Sequence, residues 1–380
     1  MAHILKEFSK HCGVEVGEPV LTKHFFPIKH KKYITIDTSS SNQACQYPYW
    51  KECVEMLREA MPEDVAIVRL GLPTDSRFFG EDLALAMLSV KQCNYLISNS
   101  MAHICVGGYS QHVASAYKVP MVTMFSNNMP EYIGPVWSDN YVALKAEYKN
   151  GKPSFAAEET EPVIFSIYPD RIINGLHKIA PDIFKKSPHR VDYVGPLFHH
   201  TLYEVKPDFF YPIQELDGKL LNIRMDFHHD ETHLEKWLQT NRCSLITNKE
   251  ISIDLLRKYR RHIPFINFFC KIGSYPSEDY LRQLEKAGIR FKLYSDAPDS
   301  DLLREEINKY FDFPFERIKR PEKWPEKARE ATHFKSNKIL VSKDGFFLSK
   351  SHMEKKDRSN KIIKSLDFLE ELDHFYLYGN

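Results

Sequence analysis

The sequence runs to 380 residues and 44.5 kDa, enough for two domains of about 150–200 residues rather than one. Its residues are 43% hydrophobic and 27% charged, a globular mixture that excludes a largely disordered chain. Fifty-two Lys and Arg against 51 Asp and Glu leave a formal net charge of +1. That removes any global pull toward nucleic acid or anionic membrane and leaves room only for local basic patches.

The opening MAHILKEFSKHC carries charge early and has no apolar core, so it does not read as a signal peptide. No apolar run approaches the roughly 18 residues of a membrane span. The seven cysteines are odd in number and never spaced as CxxC. They read as reduced, mostly buried thiols, and the expected location is cytoplasmic.

The first block runs as strands and helices in alternation. Tyr33–Asp37 is an apolar strand that enters the polar loop Thr38–Gln43. Residues 49–60 are helical, with Trp50, Cys53, Val54 and Leu57 on one face. Val65–Leu70 is a strand, 81–91 a helix, 95–97 a buried strand, His112–Tyr117 part of a helix and Val119–Phe125 a strand. Between 185 and 215 the rhythm breaks; Pro188, Pro196, Pro207, Pro212 and many aromatics predict packed coil or an edge strand.

The second block repeats the alternation. Strands are expected at 220–225, 245–247, 265–271 and 289–294, and helices at 231–239, 253–260 and 277–287, with another to about 310. Lys343-Asp344-Gly345 between two short strands is a hairpin signal, and 360–373 reads as an amphipathic helix. The expected fold class is α/β, two Rossmann-like doubly wound domains facing a cleft, over residues 1–185 and 186–380.

The densest chemical signal is Ser98-Asn99-Ser100-Met101-Ala102-His103, followed by Gly107-Gly108-Tyr109-Ser110-Gln111-His112. Glycines permit close backbone approach, and a helix start offers free N–H groups and a dipole to a phosphate. Asn99, Ser100, His103, Gly107, Gly108, Tyr109, Ser110, Gln111 and His112 are therefore candidate phosphate or donor ligands. The alternative is a tight strand–helix turn around core histidines, and which of 98–103 or 107–112 forms the motif stays open. Ser39, Ser40 and Ser41 form a second candidate phosphate loop. Neither a P-loop nor a G-x-G-x-x-G fingerprint occurs.

The stretch HVASAYKVPMVTMFSNNMPEYIGPVW resembles the donor-binding segment of ADP-heptose:lipopolysaccharide heptosyltransferases and their GT-B relatives. His112 stands eight residues before Pro120, Phe125-Ser126 replaces Phe-Gly, and Gly134-Pro135 matches a late Gly-Pro. YITIDTSSSNQACQYPYW and SIYPDRIINGLHKI resemble the opening and closing elements of the same domain, so the likeness covers about residues 30–180. It departs at Gly107-Gly108-Tyr109, where the family carries Asp-Ser-Gly, and it lacks the family's loop lysine. Only about 30 residues precede the likeness, so either the acceptor domain is absent or, the favoured expectation, the second block supplies it in swapped order.

The resemblance implies a glycosyltransferase that moves a sugar from a nucleotide diphosphate sugar to a saccharide or surface-polysaccharide hydroxyl, with no metal and no cofactor beyond that substrate. Arg69, Arg77 and Lys145 are candidates to neutralise the diphosphate; Tyr109, Tyr132 and Trp137 are candidates to stack on the base or sugar. In the second block Arg224–His233 ends the first expected strand. Asp226 or His229 is the candidate base, with helix capping as the plain alternative for the acids. His228, His229, Asp230 and His233 also allow a metal reading, although the pattern lacks HExxH. Other readings are a non-catalytic nucleotide-sugar-binding module, a DNA-modifying glycosyltransferase with a nucleic-acid acceptor, and a nucleotide-sugar epimerase.

Overall fold

The computed structural model describes residues 3–40, 42–72, 80–148, 151–159, 162–198, 200–216, 218–271, 273–295, 310, 312–318 and 322–379. The chain divides into two compact units, one through Val191 and one over Asp192–Gly379.

The first unit opens with helix α1 (Ile4–Cys12) and an extended segment, then enters β1 (Tyr33–Asp37). There follow α2 (Trp50–Ala60), β2 (Ala66–Gly71), β3 (Leu83–Ala86), α3 (Val90–Ser98), β4 (His103–Cys105), α4 (Gly108–Ala116), β5 (Met121–Phe125), the short α5 (Pro130–Ile133), β6 (Tyr141–Lys145) and α6 (Pro169–Ile179). The strands form one parallel sheet in the order β3-β2-β1-β4-β5-β6. The chain leaves β1 toward one edge and β4 toward the other, which is the doubly wound, Rossmann arrangement. Tyr33, Val68, Leu70 and Met121 pack with Leu96 and Ile97 of α3 and Val113 and Ala114 of α4. On the opposite face lies α6, whose Gly175 comes so close that a Cβ would stand 3.1 Å from Val122 Cγ2. Both faces are covered, so the strands read as continuous apolar runs.

Two local expectations fail here. Residues 95–97 belong to helix α3, and 83–86, expected within a helix, form strand β3. The cause is a capping box: Ser89 Oγ accepts from Gln92 N while Gln92 Oε1 accepts from Ser89 N, and this starts a helix at Val90. Tyr95-Leu96-Ile97 then places Leu96 and Ile97 in the core as helical neighbours.

In the second unit a parallel run goes outward strand by strand: β8 (Leu202–Val205), β9 (Leu221–Arg224), β10 (Cys243–Thr247), β11 (Ile266–Cys270), β12 (Phe291–Ser295) and β13 (Phe315–Arg317). Helices α7 (Glu231–Thr240), α8 (Ile253–Lys258) and α9 (Glu278–Lys286) connect its middle members. The chain then returns to the other side of β8 as β15 (Lys338–Ser342), which pairs in antiparallel fashion with β16 (Gly345–Phe347) through the expected hairpin. A separate three-stranded sheet, β14 (His333–Ser336), β17 (Phe375–Gly379) and β7 (Arg190–Val194), closes over Phe334, Phe368, Phe375 and Leu377.

The core of this unit joins Leu221, Ile223, Leu245, Ile266, Phe268 and Leu293 to Leu234, Trp237, Leu256, Leu281 and Leu284 from the three helices. Trp237 is fully buried and donates its indole N–H to the Phe209 carbonyl at 3.1 Å. Leu202–Val205, read as coil or an edge, is an interior strand between β9 and β15. The expected helix over 360–373 is only Leu366–Leu369 plus a 3-10 turn at Leu372–His374, because Ser365 caps a fresh start there. The helix expected up to about 310 lies outside the described residues.

Candidate functional site

The carboxyl ends of β1 and β4 are adjacent, with Asp37 opposite Cys105 in the sheet register. The chain departs from them in opposite directions, and in open parallel sheets ligands bind in the crevice outside such a switch point. Two loops frame that crevice: one that opens with 38–40 after β1, and 106–107 after β4. A third rim comes from the end of β5. There Ser126 Oγ donates to the Ala44 carbonyl, and the Cys45 thiol donates to Asn127 Oδ1 at 3.4 Å.

Gly107 and Gly108 both have positive φ, +56° and +78°, a region where a side chain is strained. A Cβ on Gly108 would meet nothing within 4 Å, so the turn is open and not covered by its own chain. Gly107 caps α4 without any side-chain acceptor. The first-turn amides of α4 therefore have no partner inside the helix, and the positive end of the helix dipole faces the loop.

The candidate side chains divide around this turn. Ser39 donates both its amide, at 3.0 Å, and its hydroxyl to Asp37 Oδ1. Ser40 Oγ donates to the Asn42 carbonyl at 2.8 Å, so both serines are turned into their own loop. Ser41 lies outside the described residues. Ser110 is buried with its hydroxyl unpaired, while Gln111 donates to the Ile133 carbonyl and accepts from Thr123. Tyr109, expected to stack on a ligand, instead donates its hydroxyl to Asn94 of α3. His112 packs edge-on against Trp137, with ring centroids 6.1 Å apart; burial, with His3 adding to it, lowers its pKa and keeps the ring neutral.

Asn99, Ser100 and His103 prove to be on the wrong edge of the sheet. Asn99 ends α3 and His103 begins β4, so all three sit at the amino ends of parallel strands, away from the switch point. His103 is fully buried. Its Nδ1 lies 2.9 Å from Thr35 Oγ1, and burial pushes its pKa down to about 4, against a smaller opposing pull from Asp37. Of the two loop registers, only 107–112 opens at the carboxyl edge. The sequence reading missed Asp37 as a charged group at this mouth; the signal was an acid at the very end of an apolar strand.

The other expected contacts are structural. Arg69 is buried 3.5 Å from Glu81, and Lys145 pairs with Glu131. Tyr132 stacks on Phe155, and the Trp137 indole donates to the Gly17 carbonyl at 3.0 Å. Arg77 lies outside the described residues.

In the second unit the loop after β9 carries Asp226, but its carboxylate is already taken. Arg224 Nε and Nη2 reach its two oxygens at 2.9 and 2.8 Å. The same guanidinium meets Glu204 at 2.9 Å, and Lys338 meets Glu204 at 3.0 Å. These cations hold the buried Glu204 carboxyl below its ordinary range despite the desolvation. Asp226 is therefore one arm of an ion network that joins β8, β9 and β15. His229 stands 3.8 Å from Glu231. His233, not His229, is the carboxylate-held imidazole, with Nδ1 2.9 Å from Asp230 Oδ2. Asp230 also caps α7, accepting from His233 N at 3.0 Å. No cluster of three or more metal-binding side chains occurs among the described residues, so the metal reading of 228–233 finds no ligand set.

The strand order of the first unit identifies a Rossmann-like fold. Solved structures with similarity include heptosyltransferases. One, ADP-heptose lipopolysaccharide heptosyltransferase II of E. coli, is 15% identical with a TM-score of 0.32, over 47% of this chain and 51% of that one. An E. coli heptosyltransferase solved with ADP is 15% identical with a TM-score of 0.29, over 40% and 51%. A putative UDP-N-acetylglucosamine 2-epimerase from Listeria monocytogenes is 12% identical with a TM-score of 0.21, over 72% and 81%. The alignments span about half the length of the heptosyltransferases. No family profile matches the sequence, and no curated protein matches it.

Proposed function

We propose that the chain is a GT-B-type glycosyltransferase whose first unit binds a nucleotide diphosphate sugar at the β1/β4 switch point. One observation carries this reading: an uncapped helix start, opened by two glycines of positive φ, at the carboxyl edge where two loops diverge. The amides of that turn would take the diphosphate and stabilise the leaving group, so the reaction would need no metal. The second unit would hold the acceptor, a saccharide hydroxyl, in a swapped domain order. The acceptor's proton would go to His233, oriented by Asp230, since Arg224 occupies Asp226. The working location would be the cytoplasm, where nucleotide sugars are available.

The test is a thermal-shift panel of nucleotide diphosphates and their sugars, followed by assay of released nucleotide diphosphate with saccharide acceptors and EDTA. A ligand at 100 times its dissociation constant stabilises the fold by about 2.7 kcal/mol. The reading predicts a shift, acceptor-dependent turnover insensitive to EDTA, and a loss of 10²–10⁴ in kcat, the usual order for a general base, in His233→Gln. No shift with any nucleotide defeats it.

A second reading, a nucleotide-sugar-binding module without turnover, is favoured by the locking of Asp226 and by the absence of the acidic residue from the glycine turn. It predicts the same shift and no released diphosphate. Turnover of donor without acceptor would point instead to an epimerase, and turnover only with DNA to a nucleic-acid acceptor.

A further inference from the structure

The amino-terminal segment places its apolar side chains on the outside. Helix α1 spans nine residues and buries none of them. Ile4 and Phe8, one turn apart on the same helix face, are 45% and 61% exposed. Val14, Val16, Val20 and Phe25 continue the pattern, with Val20 93% and Phe25 72% exposed. Six of the large exposed apolar side chains among the described residues fall within these first 25 positions.

The segment is nevertheless fastened down. His3 Nδ1 accepts from Leu5 N and its Nε2 bonds the Gly134 carbonyl at 2.9 Å. Gly17, Leu21 and Thr22 carbonyls accept from Trp137, Tyr117 and Asn94, and His24 N donates to the Lys91 carbonyl. Leu21, Phe26 and Ile28 pack inward with the α3–α4 layer. The outward residues are thus held in the open by a strap whose other residues are well anchored. Concentrated apolar exposure of this kind marks an interaction surface.

Charge selects the partner. Residues 3–32 hold six lysines against three glutamates, a net of +3, in a chain whose total is +1; the other residues therefore carry −2. Lys6 and Lys10 are exposed on the polar side of α1 itself, and Lys23 lies over the Tyr117 ring. An amphipathic helix with Phe and Ile on one face and lysines on the other lies in the headgroup plane of anionic lipid. No helix among the described residues is long and apolar enough to cross a membrane, so the contact is with a surface.

We propose that this strap docks the protein onto an anionic phospholipid bilayer, with Ile4 and Phe8 entering the headgroup region and the lysines facing the lipid phosphates. The test is cosedimentation of the full chain with vesicles of phosphatidylcholine, with and without 30% phosphatidylserine. Binding should be at least tenfold stronger on the anionic vesicles and should fall in high salt, since each lysine near the surface contributes about fivefold. Ile4→Asp with Phe8→Asp should lower partitioning at least tenfold while the melting temperature and any nucleotide-induced shift stay as in the parent. Lys6→Glu with Lys10→Glu should reverse the preference for anionic vesicles without touching the apolar face. Equal pelleting with and without vesicles, or unchanged partitioning in the Ile4/Phe8 variant, overturns the proposal. So does a lipid-free dimer that the Ile4/Phe8 variant converts to monomer, which would make a second copy the occupant.

Discussion

Helices α4 and α7 each follow a parallel strand, one in each unit, and they begin in opposite ways. Helix α4 follows β4 through Gly107-Gly108 and has no side chain over its first amides. Helix α7 follows β9 through a loop of acids and histidines, and Asp230 caps it. An N-cap carboxylate satisfies the orphan amides and neutralises the positive end of the dipole. A helix start is therefore available to an external anion only where the chain declines to supply its own; α4 and α2 both lack a side-chain cap, and of the two only α4 opens through glycines of positive φ. The ions beside α7 point the same way: Arg224 is held by Glu204 and Asp226, so the second unit spends its cation internally.

The largest expected effect tests the closed side. Arg224→Ala would leave Glu204 and Asp226 without their shared cation, Glu204 being 3% exposed. Breaking a buried pair in this way costs about 3–5 kcal/mol, to be seen in urea or thermal unfolding. An unchanged midpoint would mean that the network is solvated and that Asp226 is free for chemistry.

Acid titration separates the two edges of the first sheet. His103 has a folded pKa of about 4 against an ordinary 6.5, so between those values the unfolded chain binds the extra proton. Stability from this group is whole above pH 6.5 and falls as pH drops toward 4, by about 3 kcal/mol in all. His103→Gln should flatten that part of the pH–stability curve and leave any nucleotide shift in place. If nucleotide binding vanished instead, the amino edge would be the site after all. Asp170 runs the other way: burial raises its pKa to about 6, so Asp170→Asn should add stability at pH 7 and little at pH 4.

On the open side, Gly108→Val forces a β-branched residue to φ +78°. Strain of this kind is about 1–3 kcal/mol, and nucleotide affinity should fall at least tenfold, measured by titration calorimetry. Intact affinity would remove the glycine turn from the site. The smallest effect is the cap: Asp230→Ala should cost about 1 kcal/mol of stability. It should also release His233 from its 2.9 Å contact, which a change in the imidazole NMR signals would report.

Much of the fold was legible. Strands β1, β2, β5 and β9 to β12, helices α2, α7 and α9 and the hairpin at Lys343–Gly345 follow from apolar runs, helical spacing and turn residues, all local signals. Helix α3 was not, because a three-residue apolar run fits strand and helix equally and the capping box at Ser89 decided it. Of the candidate site, the Gly107-Gly108 turn was legible as a conformational demand. Tyr109 and His112 were not, since their partners Asn94 and Trp137 are set by packing, and Asp226 was not, since nothing in the local pattern shows that Arg224, two residues earlier, pairs with it.

By itself the sequence determined that two α/β blocks form and that a glycine turn precedes a helix near residue 108, because periodicity and backbone freedom are properties of neighbouring residues. Only the tertiary structure decided which loops share an edge of the sheet and which polar side chains are already paired. Strand order places β1 beside β4 across 65 intervening residues, and it joins Arg224 to Glu204 from adjacent strands. Both are contacts between distant parts of the chain, which no local pattern encodes.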